Sequence, residues 1–183
     1  KAVLEAAGWV DTDGDGIREK DGRPLKIKWL TYPSRQELPL LAESAQATLK
    51  EIGIAVDINS TADHNRVIKD MTAWDVYGSA NMNAPIGDPE HFFRSFCLDT
   101  SSKNKSHYHS DKMNELAQQL AVEFDPVKRG ELAIQMQQVI LDDNAWVFCS
   151  FLKMSMISKA SVTGYTYHPT DFYQVTVDLD IKK

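Results

Sequence analysis

The sequence predicts an α/β fold: a mixed sheet with a βαβαβ core, flanked by helices. Residues 25–32 (LKIKWLTY) are rich in β-branched and aromatic side chains and end at the breaker Pro33-Ser34. Residues 54–60 (IAVDINS) alternate Ile54, Val56 and Ile58 with Ala55, Asp57 and Asn59, the two-residue period of a sheet face. Between them, LPLLAESAQATLKEIG carries Leu38, Leu41, Ala45, Leu49 and Ile52 at spacings of three and four. That spacing makes one apolar stripe on a helix, and Gly53 is its stop. Residues 74–81 (WDVYGSAN) form a third short strand, reached through HNRVIKDM, a crossover of only about two turns. Short crossovers are right-handed, so the three strands run parallel or nearly so.

Upstream of this core, VLEAAGW closes a helix at Gly8, where a left-handed cap costs glycine little, and Trp9 packs beside the cap. The segment DTDGDGIREKDG then places Asp11, Asp13 and Asp15 at alternate positions before Gly16, so their carboxylates can converge on a hard cation. The EF-hand pattern asks for glutamate twelve residues into the loop, where this chain has Gly22, and the apolar residue comes one place early at Ile17. Glu19 or Asp21 would complete a weaker site. The segment therefore reads either as a structural calcium loop or as a solvated acidic turn entering a hairpin. The hairpin is IREKDGRPLKI, turning at Asp21-Gly22.

After the third strand, residues 82–93 (MNAPIGDPEHFF) bring two prolines and a glycine, then rings. Asp88 caps a short helix with Pro89 at its first position and Glu90 in its first turn, and His91, Phe92, Phe93 and Phe96 bury rings on at least one side. The segment reads as a packed lid or as a ligand-lining loop at strand ends. Residues 97–110 form a polar loop in which His107 and His109 flank Tyr108. Two histidines two apart share one face of an extended strand and can chelate a transition metal, and the same pair is common in exposed loops. Arg94, Lys103 and Lys105 nearby either meet an anionic group or form a solvated face.

Residues 111–124 predict a helix with Met113, Leu116, Ala117, Leu120 and Ala121 on its stripe and Ser110 or Asp111 as cap. Residues 125–145 predict another, capped by Asp125 with Pro126 first; its Val127, Leu132, Ile134, Met136, Val139 and Ile140 fill more than one face, as deep packing requires. Gly130 inside it costs up to about 1 kcal/mol against alanine. Residues 146–159 (WVFCSFLKMSMISK) predict one long or two broken interior strands, with Met154 and Met156 as filler. Residues 160–183 alternate Tyr165, Tyr167, Phe172, Tyr173, Val175, Val177, Leu179 and Ile181, a pattern that needs a partner surface.

At 183 residues the chain is long enough for a complete hydrophobic core. A net charge of −6 with Lys and Arg scattered argues against a nucleic-acid surface. The most apolar uncharged run, residues 144–152, is far too short to span a bilayer. No signal peptide is visible, and KAVLEAAGW opens as the last turns of a helix already under way, so a fragment of a longer protein is expected. Cys97 and Cys149 permit one disulfide and do not fix the redox compartment. GxSxG, HExxH, Walker and GxGxxG motifs are all missing, and no nucleophile is ordered with a base, which leaves a binding role rather than an enzyme.

The stretches EAAGWVDTDGDGIREKDGRPL, TLKEIGIAVDI, MNAPIGDPEHFF, residues 106–111 followed by MNELAQQL, KRGELAIQMQQVILDDNAWVFCSF and SKASVTGYTYHPTDFY together resemble the C-terminal part of an extracytoplasmic solute-binding protein. The resemblance is to the oligopeptide, dipeptide and nickel family, which delivers ligands to ABC transporters. It implies one lobe of a two-lobed periplasmic-binding-protein-like fold: residues 1–183 would be a single lobe, and residues 160–183 a tail approaching the missing N-terminal lobe. It implies a substrate-binding component of an ABC importer that holds nickel or a nickel chelate between two lobes and passes it to permease subunits in the membrane. An oligopeptide or dipeptide carrier and a non-transport peptide-sensing module are the alternatives. By the same resemblance, Asn81, Met82, Asn83, Pro85, Asp88, Phe92 and Arg94 lie nearest the cleft, Tyr108 walls it, and His107 or His109 reaches a metal if their loop folds over it. The segment that often begins with tryptophan before Gly-Ala-Pro begins here with Met82-Asn83, so the aromatic wall is missing at that position. The implied location is extracytoplasmic, in the periplasm or lipid-anchored at the outer face of the membrane. The only ions expected are nickel as cargo and a candidate calcium at Asp11, Asp13 and Asp15.

Overall fold

The computed structural model of the chain describes residues 1–153, 155–166 and 175–182. The chain divides into two compact units, Lys1–Asn81 and Met82–Lys183, each with its own buried cluster.

In the first unit, helix α1 (Ala2–Ala6) gives way to Gly8 at φ +85°, and Trp9 N–H returns to the carbonyl of Leu4 at 2.9 Å. Strands β1 (Glu19–Lys20) and β2 (Arg23–Pro24) form the antiparallel hairpin, and its two turn residues, Asp21 and Gly22, both take positive φ (52° and 70°), the geometry that matches strand twist. Strand β3 (Lys26–Thr31), helix α2 (Glu37–Lys50), strand β4 (Ala55–Ser60), helix α3 (His64–Val67) and strand β5 (Val76–Tyr77) follow. They build the expected parallel sheet in the order β4-β3-β5, with β3 central.

Leu30, on the central strand, is buried with Ile68 and Trp74. Helix α2 packs against β3 and β4, burying Leu38 and Ala42, while Gln46 Nε2 reaches the Val56 carbonyl at 2.6 Å. The expected stripe is thus rotated toward Ala42; Leu41, Ala45, Leu49 and Ile52 are only half-buried. Gly53 stops the helix at φ +89°, and a Cβ there would lie 2.6 Å from Arg18 Cγ, so no side chain fits.

The second unit is helical at its centre. Helices α4 (Glu90–Phe96), α5 (Asp111–Val122) and α6 (Pro126–Asp142) enclose Phe92, Phe93, Cys97, Met113, Leu116, Leu120, Ala133, Met136 and Ile140. The caps fall where the sequence puts them: Ser110 Oγ accepts from Met113 N–H, and Asp125 accepts from Val127 and Lys128 with Pro126 at the first position. The deep packing expected around α6 is corrected to one face. Ala133, Met136 and Ile140 are buried, whereas Val127 and Ile134 point to solvent.

The strand expected over residues 146–159 is also corrected. Its described residues form no ladder, and Val147, Phe151 and Ile157 are 86%, 89% and 93% exposed. Apolar composition calls only for an apolar neighbour; a strand additionally needs another strand's N–H and C=O groups in register, and none of the described residues offers them. Met156, read as filler, is likewise exposed, while Met154 lies outside the described residues. Strands β6 (Val162–Thr163) and β7 (Asp180–Ile181) pair antiparallel. Of the alternating tail, Val175, Val177 and Ile181 are exposed, and Tyr167, Phe172 and Tyr173 lie outside the described residues. No helix among the described residues is long and apolar enough to cross a membrane.

Candidate functional site

Residues 82–89 are shaped by their turn residues: Gly87 takes φ +78°, and its N–H bonds to the Ala84 carbonyl at 3.0 Å. Asp88 ends the loop and starts α4. Its Oδ1 accepts the Glu90 N–H at 2.8 Å, the capping role read from the sequence.

The same carboxylate is gripped by Arg129 of α6, with Nη2 at 2.8 Å from both Oδ1 and Oδ2 and Nε at 3.1 Å from Oδ2. Arg129 also donates to Glu90 Oε2 at 3.2 Å and, through Nη1, to the carbonyls of Leu120 and Glu123 at 2.7 Å each. Its guanidinium holds the Asp88 carboxyl below the usual carboxylate range. Asp88, named from the sequence as a ligand contact, is therefore occupied inside the protein. Arg129 escapes sequence reasoning because its partner lies 41 residues away and no local pattern joins them.

The other residues read as ligand contacts differ in their exposure. Met82, Asn83 and Pro85 are half-buried on the loop, and Asn81 is exposed, its amide donating to Ser79 Oγ. Phe92 is buried among Phe93, Phe96, Trp146 and Phe148. Arg94, two positions on, projects from another side of α4, since residues i and i+2 of a helix do not face the same way. Its exposed guanidinium stands 3.7 Å from Glu90 Oε1 and lines a cavity of about 460 Å³ with Phe93, Asn114, Leu120 and Met136. Trp146 and Phe148, which pack against Phe92, stack on each other at 6.4 Å and 14°. The sequence offered these two only as strand residues.

Asn104 organises the histidine loop. It is buried, donates to the carbonyls of Leu98 (3.2 Å) and Tyr108 (2.8 Å), and accepts from Tyr108 N–H (3.1 Å) and Ser106 Oγ (3.1 Å). Tyr108 leans on the helical core and donates its hydroxyl to Asp143; burial, reinforced by that carboxylate, pushes its pKa up to about 12. His107 is exposed with φ +53°. His109 lies between two acids, with Nδ1 3.0 Å from Asp99 and Nε2 3.4 Å from Asp111, and its contact holds Asp99 below the usual range.

Among the described residues, the metal-type donors that converge are those of the acidic turn. Asp11, Asp13, Asp15 and Glu19 each bring an oxygen within 4.8 Å of the others, a donor set that suits a hard cation. The turn also closes by hydrogen bonds: Asp11 accepts from Gly14 (2.8 Å) and Gly16 (3.0 Å), and Glu19 from Thr12 N–H (2.9 Å) and Oγ1 (2.8 Å). Asp21 belongs to the hairpin turn instead.

At the carboxyl end of the sheet in the first unit lies a group the sequence reading passed over. Tyr32 stacks on His64 at 4.2 Å and 23°, with Tyr77 6.2 Å from Tyr32 and 6.3 Å from His64. Burial, with Tyr32 adding to it, raises the Tyr77 pKa to about 12. Thr31 Oγ1 and His64 Nδ1 are buried there without a hydrogen-bond partner among the described residues. The available signal was Tyr32 itself, at the end of a parallel strand where ligands of open α/β sheets gather.

Comparison with known proteins gives a consistent picture. Residues 1–104 match the family described as bacterial extracellular solute-binding proteins, family 5 Middle. The chain is 27% identical over 168 residues to the nickel-binding protein NikA of Staphylococcus aureus, an alignment covering 90% of this chain and 34% of that protein. It is 25% identical over 190 residues to the oligopeptide-binding protein AppA of Bacillus subtilis, covering 96% and 33%. The solved structure of AppA in complex with a nonapeptide superposes on 100% of this chain and 36% of its own, at TM-score 0.82 and 23% identity. The chain therefore spans about a third of the length of the curated relatives it matches.

Proposed function

The chain belongs to the bacterial extracellular solute-binding proteins of family 5, and from that premise we propose that it forms most of the second lobe of a two-lobed receptor that captures a nickel chelate and hands it to an ABC permease. The observation that carries the cargo assignment is the similarity to the nickel-binding protein NikA, which extends over 90% of the chain. In this reading the receptor is not catalytic. Loop 82–87 presents Met82, Asn83 and Pro85 to the cargo, Asn81 stands at its entry, and closure of the two lobes removes the cargo from water and creates the surface the permease reads. Periplasmic or lipid-anchored placement at the outer face of the membrane belongs to the same proposal.

A peptide cargo is the second reading, favoured by the superposition on AppA over the whole chain. The two are separated by calorimetric titration of the two-lobed protein with Ni²⁺ alone, Ni²⁺ with two equivalents of L-histidine, and a pool of short peptides. Tight binding confined to the nickel–histidine complex is expected; tight binding confined to the peptides would replace the first reading by the second. In the same assay His107→Ala and His109→Ala test the loop histidines. Because both His109 nitrogens already face carboxylates, affinity should survive His109→Ala, and a loss there would make His109 a ligand to the metal.

A further inference from the structure

We propose that Arg129 is a positioning residue for the cargo-facing loop 82–89, an inference that rests on the reading above that this loop meets the cargo. A guanidinium whose task was only to join α5 to α6 would need the two carbonyls at the end of α5, Leu120 and Glu123, which are among the acceptors every helix leaves without an internal partner. Arg129 spends its remaining N–H groups on the other side, gripping both oxygens of Asp88 and one of Glu90. Its side chain is 16% exposed and that of Asp88 32%, so these charge-assisted bonds are partly shielded from water. One planar fork thus fixes the end of the loop, the start of α4 and the end of α5 in a single geometry. The loop itself carries an internal turn bond from Gly87 to Ala84, and Asp88 at its end ties it to α4 and α6.

The arrangement is specific to arginine. A lysine supplies one compact charge and cannot grip a carboxylate with two parallel bonds while reaching two carbonyls. Without any cation, Asp88 and Glu90 would repel each other at the loop's base. The loop then samples more conformations, and the cargo must select among them.

The test uses the two-lobed protein carrying Arg129→Lys or, as the milder change, Asp88→Asn, which keeps an acceptor for the Glu90 N–H. Three quantities are measured for each: affinity for Ni²⁺ with L-histidine and for the peptide pool, melting temperature, and amide hydrogen exchange of residues 82–88 against α5 and α6. The expected result is faster exchange confined to residues 82–88 and about tenfold weaker affinity for whichever cargo the wild type binds, in samples that remain folded at the assay temperature. Wild-type affinity in either folded variant overturns the proposal, as does a loss that only follows the unfolded fraction. If the wild type binds neither probe, the cargo reading fails by itself; the exchange comparison still decides whether Arg129 holds the loop, and unchanged exchange at residues 82–88 overturns that.

Discussion

Arg18 does for the first unit what few single side chains do. Almost fully buried, it donates Nε to the Ile52 carbonyl at 2.9 Å, Nη1 to the Trp9 carbonyl at 2.8 Å and Nη2 to Glu5 at 2.8 Å, stitching α1, the hairpin and the end of α2 together. Arg18→Met keeps the bulk of the stem but leaves two carbonyls unpaired, and should lower unfolding free energy by about 2–4 kcal/mol in urea titration. Gly130→Ala works in the opposite sense: a Cβ there meets nothing within 4 Å, so the helix gains propensity without a clash, and stability should rise by up to about 1 kcal/mol. Acid sensitivity follows from Asp88 and Asp99, whose carboxyls are held low by Arg129 and His109. Near pH 4 the unfolded chain takes up protons that the folded chain refuses, so the stability these groups add is complete above about pH 4 and lost as pH falls below it. Thermal melts across that range should show the drop, and Asp88→Asn should make it shallower. Residues with local partners were legible beforehand: Asp125, Ser110 and the Asp21-Gly22 turn bond within a few positions of themselves. Arg18 and Arg129 were not, because their partners are set by the fold.

At the scale of elements, the parallel core was readable because each strand and helix carries its own period. Which helix face is buried was less so. Val127 and Ile134 look like core in a list of apolar residues, yet only Ala133, Met136 and Ile140, at spacings of three and four, line up on the packed side of α6. Residues 146–159 show the limit most plainly, since strand formation depends on a neighbour that composition does not supply. The end of α4 makes a separate prediction. Cys97 caps it at 1% exposure, and burial pushes its thiol up to about 12, whereas Cys149 is free and exposed. A disulfide-exchange reagent at about pH 8 should therefore titrate one thiol per native chain, at Cys149, and a second only after denaturation.

Across the whole molecule, the feature with the largest practical effect is the apolar surface of residues 147–157. Val147, Phe148, Phe151, Leu152 and Ile157 are exposed within eleven positions, far denser than the scattered apolar residues of an ordinary surface. The 183-residue chain on its own should bind a hydrophobic dye and self-associate as salt rises. Val147→Ser, Phe151→Ser and Ile157→Ser combined should suppress both while leaving the melting temperature unchanged; a large fall in melting temperature would mean these side chains are packed rather than open. The loop after the third strand was only partly legible for a related reason: its turn at Gly87 and the Asp88 cap could be read locally, but Arg129, which holds Asp88, could not.

The first unit has one more consequence. Every pairing in its parallel sheet lies between Lys26 and Tyr77, and both crossovers are short. On a ribosome adding about 5–20 residues per second, the roughly one hundred residues of the second unit take about 5–20 seconds to emerge, while a small α/β unit of such local connectivity folds well within that time. The order of synthesis therefore lets the sheet close first, and the hydrophobic stretch near residue 150 leaves the tunnel only after that unit has had time to fold.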